Sequence, residues 1–119
     1  MTRKTANIDT IGWFASATDV CKVLATLSSR AHIRPEAAAL LDILALNRPI
    51  DLASTVWPYM GSKSGAVAGV ASYSGVLRRD DDREFVIVIG YSNPMTPVDE
   101  DRMSPLVWRS FELLAAHDR

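Results

Sequence analysis

Lys63, Ser64 and Gly65 stand together on a stretch that reads as the edge of a sheet, and their types suit one task. An ammonium supplies positive charge for a carboxylate, a hydroxyl hydrogen-bonds the same group, and a glycine lets the neighbouring carbonyl approach the backbone. Trp57-Pro58-Tyr59-Met60 leads in and Ala66 to Gly69 follows. The other candidates carry less. His32 and His117 have no cysteine or carboxylate cluster at ligand spacing, so no metal site and no cofactor are expected. Asp80-Asp81-Asp82 lacks the spacing of a calcium loop and reads as a solvated hairpin turn. Cys21 is alone, which rules out an internal disulfide, and its apolar neighbours Val20, Val23 and Leu24 make it a small buried hydrophobe.

The surrounding periodicities say what positions the triad. Ile11 to Ala15 brings aromatic bulk to a helix entrance, where Ser16 is an N-cap answered by Asp19. Val20, Val23, Leu24 and Leu27 form one apolar face, and the helix should end near Ser28-Ser29. Pro35 and Glu36 suit the first turn of a second helix. Leu40, Leu41, Ile43, Leu44 and Leu46 predict that this helix is well buried, with Asn47-Arg48-Pro49 as its stop and Ile50 to Val56 as an irregular connection. Strands are expected over 57–66, 70–77 and 84–92, with Gly75 allowing a bend or a close approach. Phe85 to Ile89 is apolar on both faces, as in a strand covered twice. Ser104-Pro105 signals the start of a C-terminal helix with Val107, Phe111 and Leu114 as its stripe, and Asp99-Glu100-Asp101 just before it suits the helix dipole. Trp13, Trp57, Trp108 and Phe111 read as core or rim packing. The result is an α+β chain: two helices, a three-stranded antiparallel meander, and a last helix packed on the sheet.

Composition bounds the function. At 119 residues the chain has room for one core, and its 48% apolar content is ordinary for a globular protein. A net charge of −1 gives no electrostatic case for nucleic acid or an anionic membrane. No apolar run is long enough to span a bilayer. Met1-Thr2-Arg3-Lys4 has the charge of a signal-peptide start, but no apolar stretch follows, so no export signal is expected and the compartment stays open.

Lys63-Ser64-Gly65-Ala66-Val67-Ala68-Gly69-Val70, followed by Gly75, resembles the third signature motif of the serine β-lactamase and penicillin-binding protein superfamily, in the extended form of its D-Ala-D-Ala carboxypeptidase-like members. Gly12 to Asp19 is similar to a helix entry that precedes the motif there. The element order resembles that family's C-terminal part, over roughly residues 11–116. The resemblance implies that the chain is one partial domain, with residues 1–10 a loose segment and 11–119 the C-terminal part of a β-lactamase-like domain. It implies that Lys63 and Ser64 hold the carboxylate of a β-lactam or peptidoglycan stem peptide and that Gly65 leaves room for the acyl group. It also implies that the Ala66 backbone N–H is half of an oxyanion hole. Lys63 and Ser64 are expected to point to one open side of the sheet, beside the place of a missing nucleophile helix.

The sequence departs from that family at the step that matters most. Its serine hydrolases use a Ser-x-x-Lys nucleophile, yet three residues before the lysines stand Met1, Asp19 and Met60. Tyr91-Ser92-Asn93 fits the second motif in type only; it follows the triad, and reads as a strand terminus. Neither Glu36 nor Glu84 lies in the context of the family's catalytic glutamate. Without an attacking group covalent catalysis has no first step, so the chain alone is expected to be inactive. It is expected to be a fragment of a longer hydrolase of a usually exported family, or a remnant that has lost catalysis. The alternative is a small α+β interaction or dimerisation module in which Lys63 is a surface charge. Both readings expect partly exposed first helices and self-association.

Overall fold

The computed structural model describes residues 15–47, 56–67, 69–93 and 95–118, with Glu100 described by its backbone alone. The segment expected to be loose (1–10), the Trp13-Phe14 entry, Arg48-Pro49 and the connection over 50–55 lie outside those residues.

Ser16 opens the first helix, α1 (Ala17–Ile33), through the expected capping box. Its Oγ accepts from the Asp19 N–H at 3.1 Å, and the Asp19 carboxylate accepts from the Ser16 N–H at 3.1 Å. The helix does not end at Ser28-Ser29. Leu24, Ser28 and Ala31 form its buried stripe, so Ser28 faces the protein interior rather than a turn. The stop comes at Arg34, whose extended backbone is what a following proline favours.

Pro35–Ala37 forms a single 3-10 turn, and α2 (Ala39–Ala45) follows. Here the expectation of burial fails. No residue of α2 is buried; Ile43 is 57% and Leu46 83% exposed. A seven-residue helix can press only one side on the sheet, and the apolar remainder of this one faces outward.

The sheet follows the meander order β1 (Tyr59–Val67), β2 (Val70–Arg78), β3 (Glu84–Ser92), antiparallel throughout. Gly69 makes the first hairpin reversal at a φ of 81°, where any side chain would be strained. Gly75 marks a close approach, since a Cβ there would stand 3.0 Å from the Tyr73 hydroxyl and 3.3 Å from the Gly61 carbonyl.

Alternation divides the sheet into two faces. One carries Met60, Tyr73, Leu77, Phe85, Ile87 and Ile89 and packs on α3 (Glu100–Ala116), whose Val107 and Phe111 complete the core with Trp57. The Tyr73 and Phe111 rings meet edge-on at 5.9 Å, as do Trp57 and Phe85 at 6.0 Å. The opposite face carries α1 over β2 and β3 and α2 over β1. On β3, Phe85, Ile87 and Ile89 pack against the core cluster on one face and α1 lies over the other, although each residue from Phe85 to Ile89 stays partly exposed.

The last helix starts five residues earlier than Ser104-Pro105 suggested. Asp99 is its N-cap and accepts from the Asp101 N–H at 3.1 Å, while Pro105 lies inside the helix. The acidic run thus forms the cap and first turn, where the dipole favours it.

Arg79 ties the far end of α3 to the sheet. Its side chain is fully buried, with Nη1 donating to the carbonyls of Leu114 at 2.9 Å and His117 at 2.7 Å. Nε and Nη2 hold the Asp81 carboxylate, and the guanidinium lies 5.3 Å over the Phe85 ring. Asp80-Asp81-Asp82 is a hairpin turn, as expected, but Asp81 is an ion-pair partner rather than a simply solvated charge.

Candidate functional site

The hydrogen-bonding parity of the sheet decides what the triad presents. Arg79 N–H donates to the Arg83 carbonyl at 2.8 Å and Asn93 N–H to the Gly69 carbonyl at 2.7 Å, so the odd-numbered residues of β2 bond to β3. The even-numbered residues of β2 must then bond to β1, where their partners are Tyr59, Gly61, Lys63, Gly65 and Val67. The main-chain groups of Met60, Ser62, Ser64 and Ala66 consequently point away from the sheet, off the outer edge of β1.

At the first half of β1 that edge is occupied. The Tyr59 hydroxyl donates to the Leu41 carbonyl at 2.8 Å and Ser62 Oγ donates to the Asn47 carbonyl, which docks α2 alongside. Gly61 makes the docking feasible, because a Cβ there would stand 2.8 Å from Leu44 Cβ. Beyond Ser62 no described element covers the edge, and every residue from Lys63 to Val67 is exposed.

Lys63 lies on the face of α1 and α2, and its Nζ donates to the Ser64 carbonyl at 2.5 Å. Since that carbonyl points off the edge, the ammonium sits at the open edge. Among the described residues Lys63 makes no ion pair. Ser64 pairs with Tyr73 and so projects to the α3 face. The expectation that Lys63 and Ser64 share one open side is therefore corrected: consecutive strand residues alternate, and the two side chains flank the edge from opposite faces. Gly65 has open space around it, with only Ser72 Oγ, 3.8 Å from a hypothetical Cβ. The Ala66 N–H points outward beside it.

Two residues that sequence reasoning passed over belong to this region. Ser74 Oγ donates to the Lys63 carbonyl at 3.0 Å and Ser72 Oγ to the Gly65 carbonyl at 3.5 Å. Both lie on the Lys63 face and fix the triad's backbone from the β2 side. Their alternation in Val70-Ala71-Ser72-Tyr73-Ser74 was the available signal.

The remaining candidates separate from the triad. Ser92 shares the Lys63 face but lies two strands away, about 10 Å across the sheet, and four residues further along it. Asn93 Oδ1 accepts from the Met95 N–H at 2.9 Å and the Thr96 N–H at 3.3 Å, so Tyr91-Ser92-Asn93 ends a strand, as expected. His32 belongs to the last turn of α1 and meets Glu84 at 3.0 Å. His117 is the exposed C-cap of α3, 3.2 Å from Asp118. Cys21 is half-buried. No three metal-ligating side chains cluster among the described residues, and no described helix is long and apolar enough to cross a membrane.

Comparison with known protein families, with curated proteins and with solved structures finds no match. The reading of this site rests on its own geometry.

Proposed function

We propose that the open half of β1 is the carboxylate- and acyl-receiving edge of a β-lactamase-like or penicillin-binding serine hydrolase, of which this chain forms the C-terminal part. The observation that carries the reading is the coincidence, on one uncovered edge, of the Lys63 ammonium with the outward N–H groups of Ser64 and Ala66. A substrate carboxylate would meet the ammonium and the Ser64 hydroxyl. Its acyl carbonyl would lie along the strand past Gly65 and accept from Ala66 N–H, where a tetrahedral oxyanion gains most from a fixed donor. The bare surface beside Lys63 is where the helix carrying the nucleophile would pack. That helix is not encoded here, so the chain binds without reacting.

Isothermal titration with an N-acyl-D-Ala-D-Ala peptide tests this reading, with nitrocefin and fluorescent penicillin as reaction probes. The expected result is weak saturable binding, in the millimolar range that a small exposed charge contact supports, which Lys63→Met abolishes, with neither hydrolysis nor covalent labelling. Binding that Lys63→Met leaves unchanged, or a label mapped to any serine of the chain, would contradict it.

A further inference from the structure

Strand parity puts Ser64 on the opposite face from Lys63, so any hydroxyl that works beside the ammonium from its own side must come from elsewhere. The face that carries Lys63 also carries Gly65 of β1 and, through the register, Ser74 and Ser72 of β2. Ser74 is committed: it is partly buried, and its Oγ donates to the Lys63 carbonyl at 3.0 Å. Ser72 is not. It is exposed, and its Oγ stands 3.5 Å from the Gly65 carbonyl, well beyond the usual O–H···O separation of about 2.7 Å. A hydroxyl held so loosely is free to turn to a stronger acceptor. Its surroundings leave the way clear. The Cα partners of Ser72 are Gly65 on β1 and Gly90 on β3, so no side chain flanks it on either neighbouring strand. A Cβ at Gly90 would meet nothing within 4 Å, and one at Gly65 would meet only the Ser72 Oγ. Gly65 lies between Ser72 and the outer edge of β1. Its missing side chain is a window through which the Ser72 hydroxyl faces the edge where the Lys63 ammonium sits.

We infer that Ser72 is a further substrate-binding residue: its hydroxyl donates, across Gly65, to the same carboxylate that the Lys63 ammonium holds, and from the same face of the sheet. This role rests on the reading of β1 proposed above and adds to it a donor from the second strand, outside the Lys63-Ser64-Gly65 triad. A carboxylate has two oxygens with about four lone-pair sites, so Lys63, Ser72 and Ser64 need not compete for it. The ammonium and Ser72 reach it from one face and Ser64 from the other, which fixes the plane of the group as well as its position. Lys63 supplies the charge, and Ser72 adds one charge-assisted hydrogen bond. Removing the first should therefore abolish binding, while removing the second should weaken it.

NMR titration of an N-acyl-D-Ala-D-Ala peptide into the full chain and its Lys63→Met, Ser72→Ala and Ser72→Thr variants tests the role, with the Ala66 amide as reporter. Ser72→Ala should weaken binding roughly three- to tenfold, the worth of one hydrogen bond to an exposed charged group. Ser72→Thr keeps the hydroxyl on a strand that favours threonine, and should bind within about twofold of the wild type. Tm should be unchanged in both, since Ser72 is exposed and packs against no side chain on the neighbouring strands. Wild-type affinity in Ser72→Ala, with binding abolished in Lys63→Met, would overturn the role of Ser72 and leave the reading of β1 standing. A loss in Ser72→Ala that Ser72→Thr fails to restore would make the residue structural and overturn it as well. Binding that Lys63→Met leaves unchanged would remove the reading of β1 and this role together.

Discussion

Where β1 begins, Met60, Leu77 and Phe85 lie under Val107 and Phe111, and Arg79 locks the end of α3 to the turn. Where β1 ends, Gly65, Ala66, Val67, Ser72 and Gly90 face solvent. One sheet thus has a closed end that holds the fold together and an open end with little to lose. A ligand-receiving edge needs unpaired backbone groups, and those are tolerable only where a rigid neighbour maintains the strand's shape. The closed end is that neighbour.

Substitutions should divide along the same line. The largest loss is expected from Phe111→Ala, about 3–5 kcal/mol by urea unfolding, because its ring contacts Trp57, Tyr73 and Trp108 at once. A loss under about 1 kcal/mol would mean that the closed end does not hold the fold. Arg79→Met comes next: it strips the Leu114 and His117 carbonyls and the Asp81 carboxylate of a buried donor. A clear fall in Tm should accompany fast amide exchange over the last turn of α3, and protection kept there would show that the clamp is dispensable.

Acid should probe the same clamp. Hydrogen bonds from Arg79 hold the Asp81 carboxyl well below its ordinary value of 3.8. A depressed folded value means that its contribution is whole at neutral pH. It fades as acid enters the ordinary carboxylate range, and disappears once the pH drops through the folded value. Asp19, lowered by its hydrogen bonds with Ser16, adds the same sign. Tm should therefore fall with acid below about pH 4, and more gently in Asp81→Asn; equal slopes would refute the assignment. Ser16→Ala should cost about 1 kcal/mol, the ordinary value of a lost cap. Lys63→Met should leave stability within about 0.5 kcal/mol of wild type, since its amine supports no packing.

Local chemistry was legible where one residue's covalent structure decides the outcome. Ser16 with Asp19 specified a cap, and Phe85 to Ile89 specified a strand with apolar side chains on both faces. The errors arose where a neighbour far along the chain decides. Ser28 looked like a helix end, but the packing of α1 on the sheet extends the helix past it. The leucines of α2 promised burial that so short a helix cannot supply. Pro105 suggested a start that Asp99 had already made. Arg79 carried no signal, being one of two adjacent arginines, of which only the second turns inward beneath α3. At the site, residue types named the chemistry, but whether Lys63 and Ser64 share a face depends on strand parity.

Amide-resolved NMR titration of the N-acyl-D-Ala-D-Ala peptide into the ¹⁵N-labelled chain tests the central claim most directly, because it locates the contact as well as detecting it. Shifts that saturate together at Lys63, Ser64, Gly65 and Ala66, with the amides around Arg79 and Phe111 unmoved, are the expected result. Saturating shifts centred elsewhere, or no movement of the Ala66 amide at a ligand excess that saturates the protein, would contradict the assignment of the open edge.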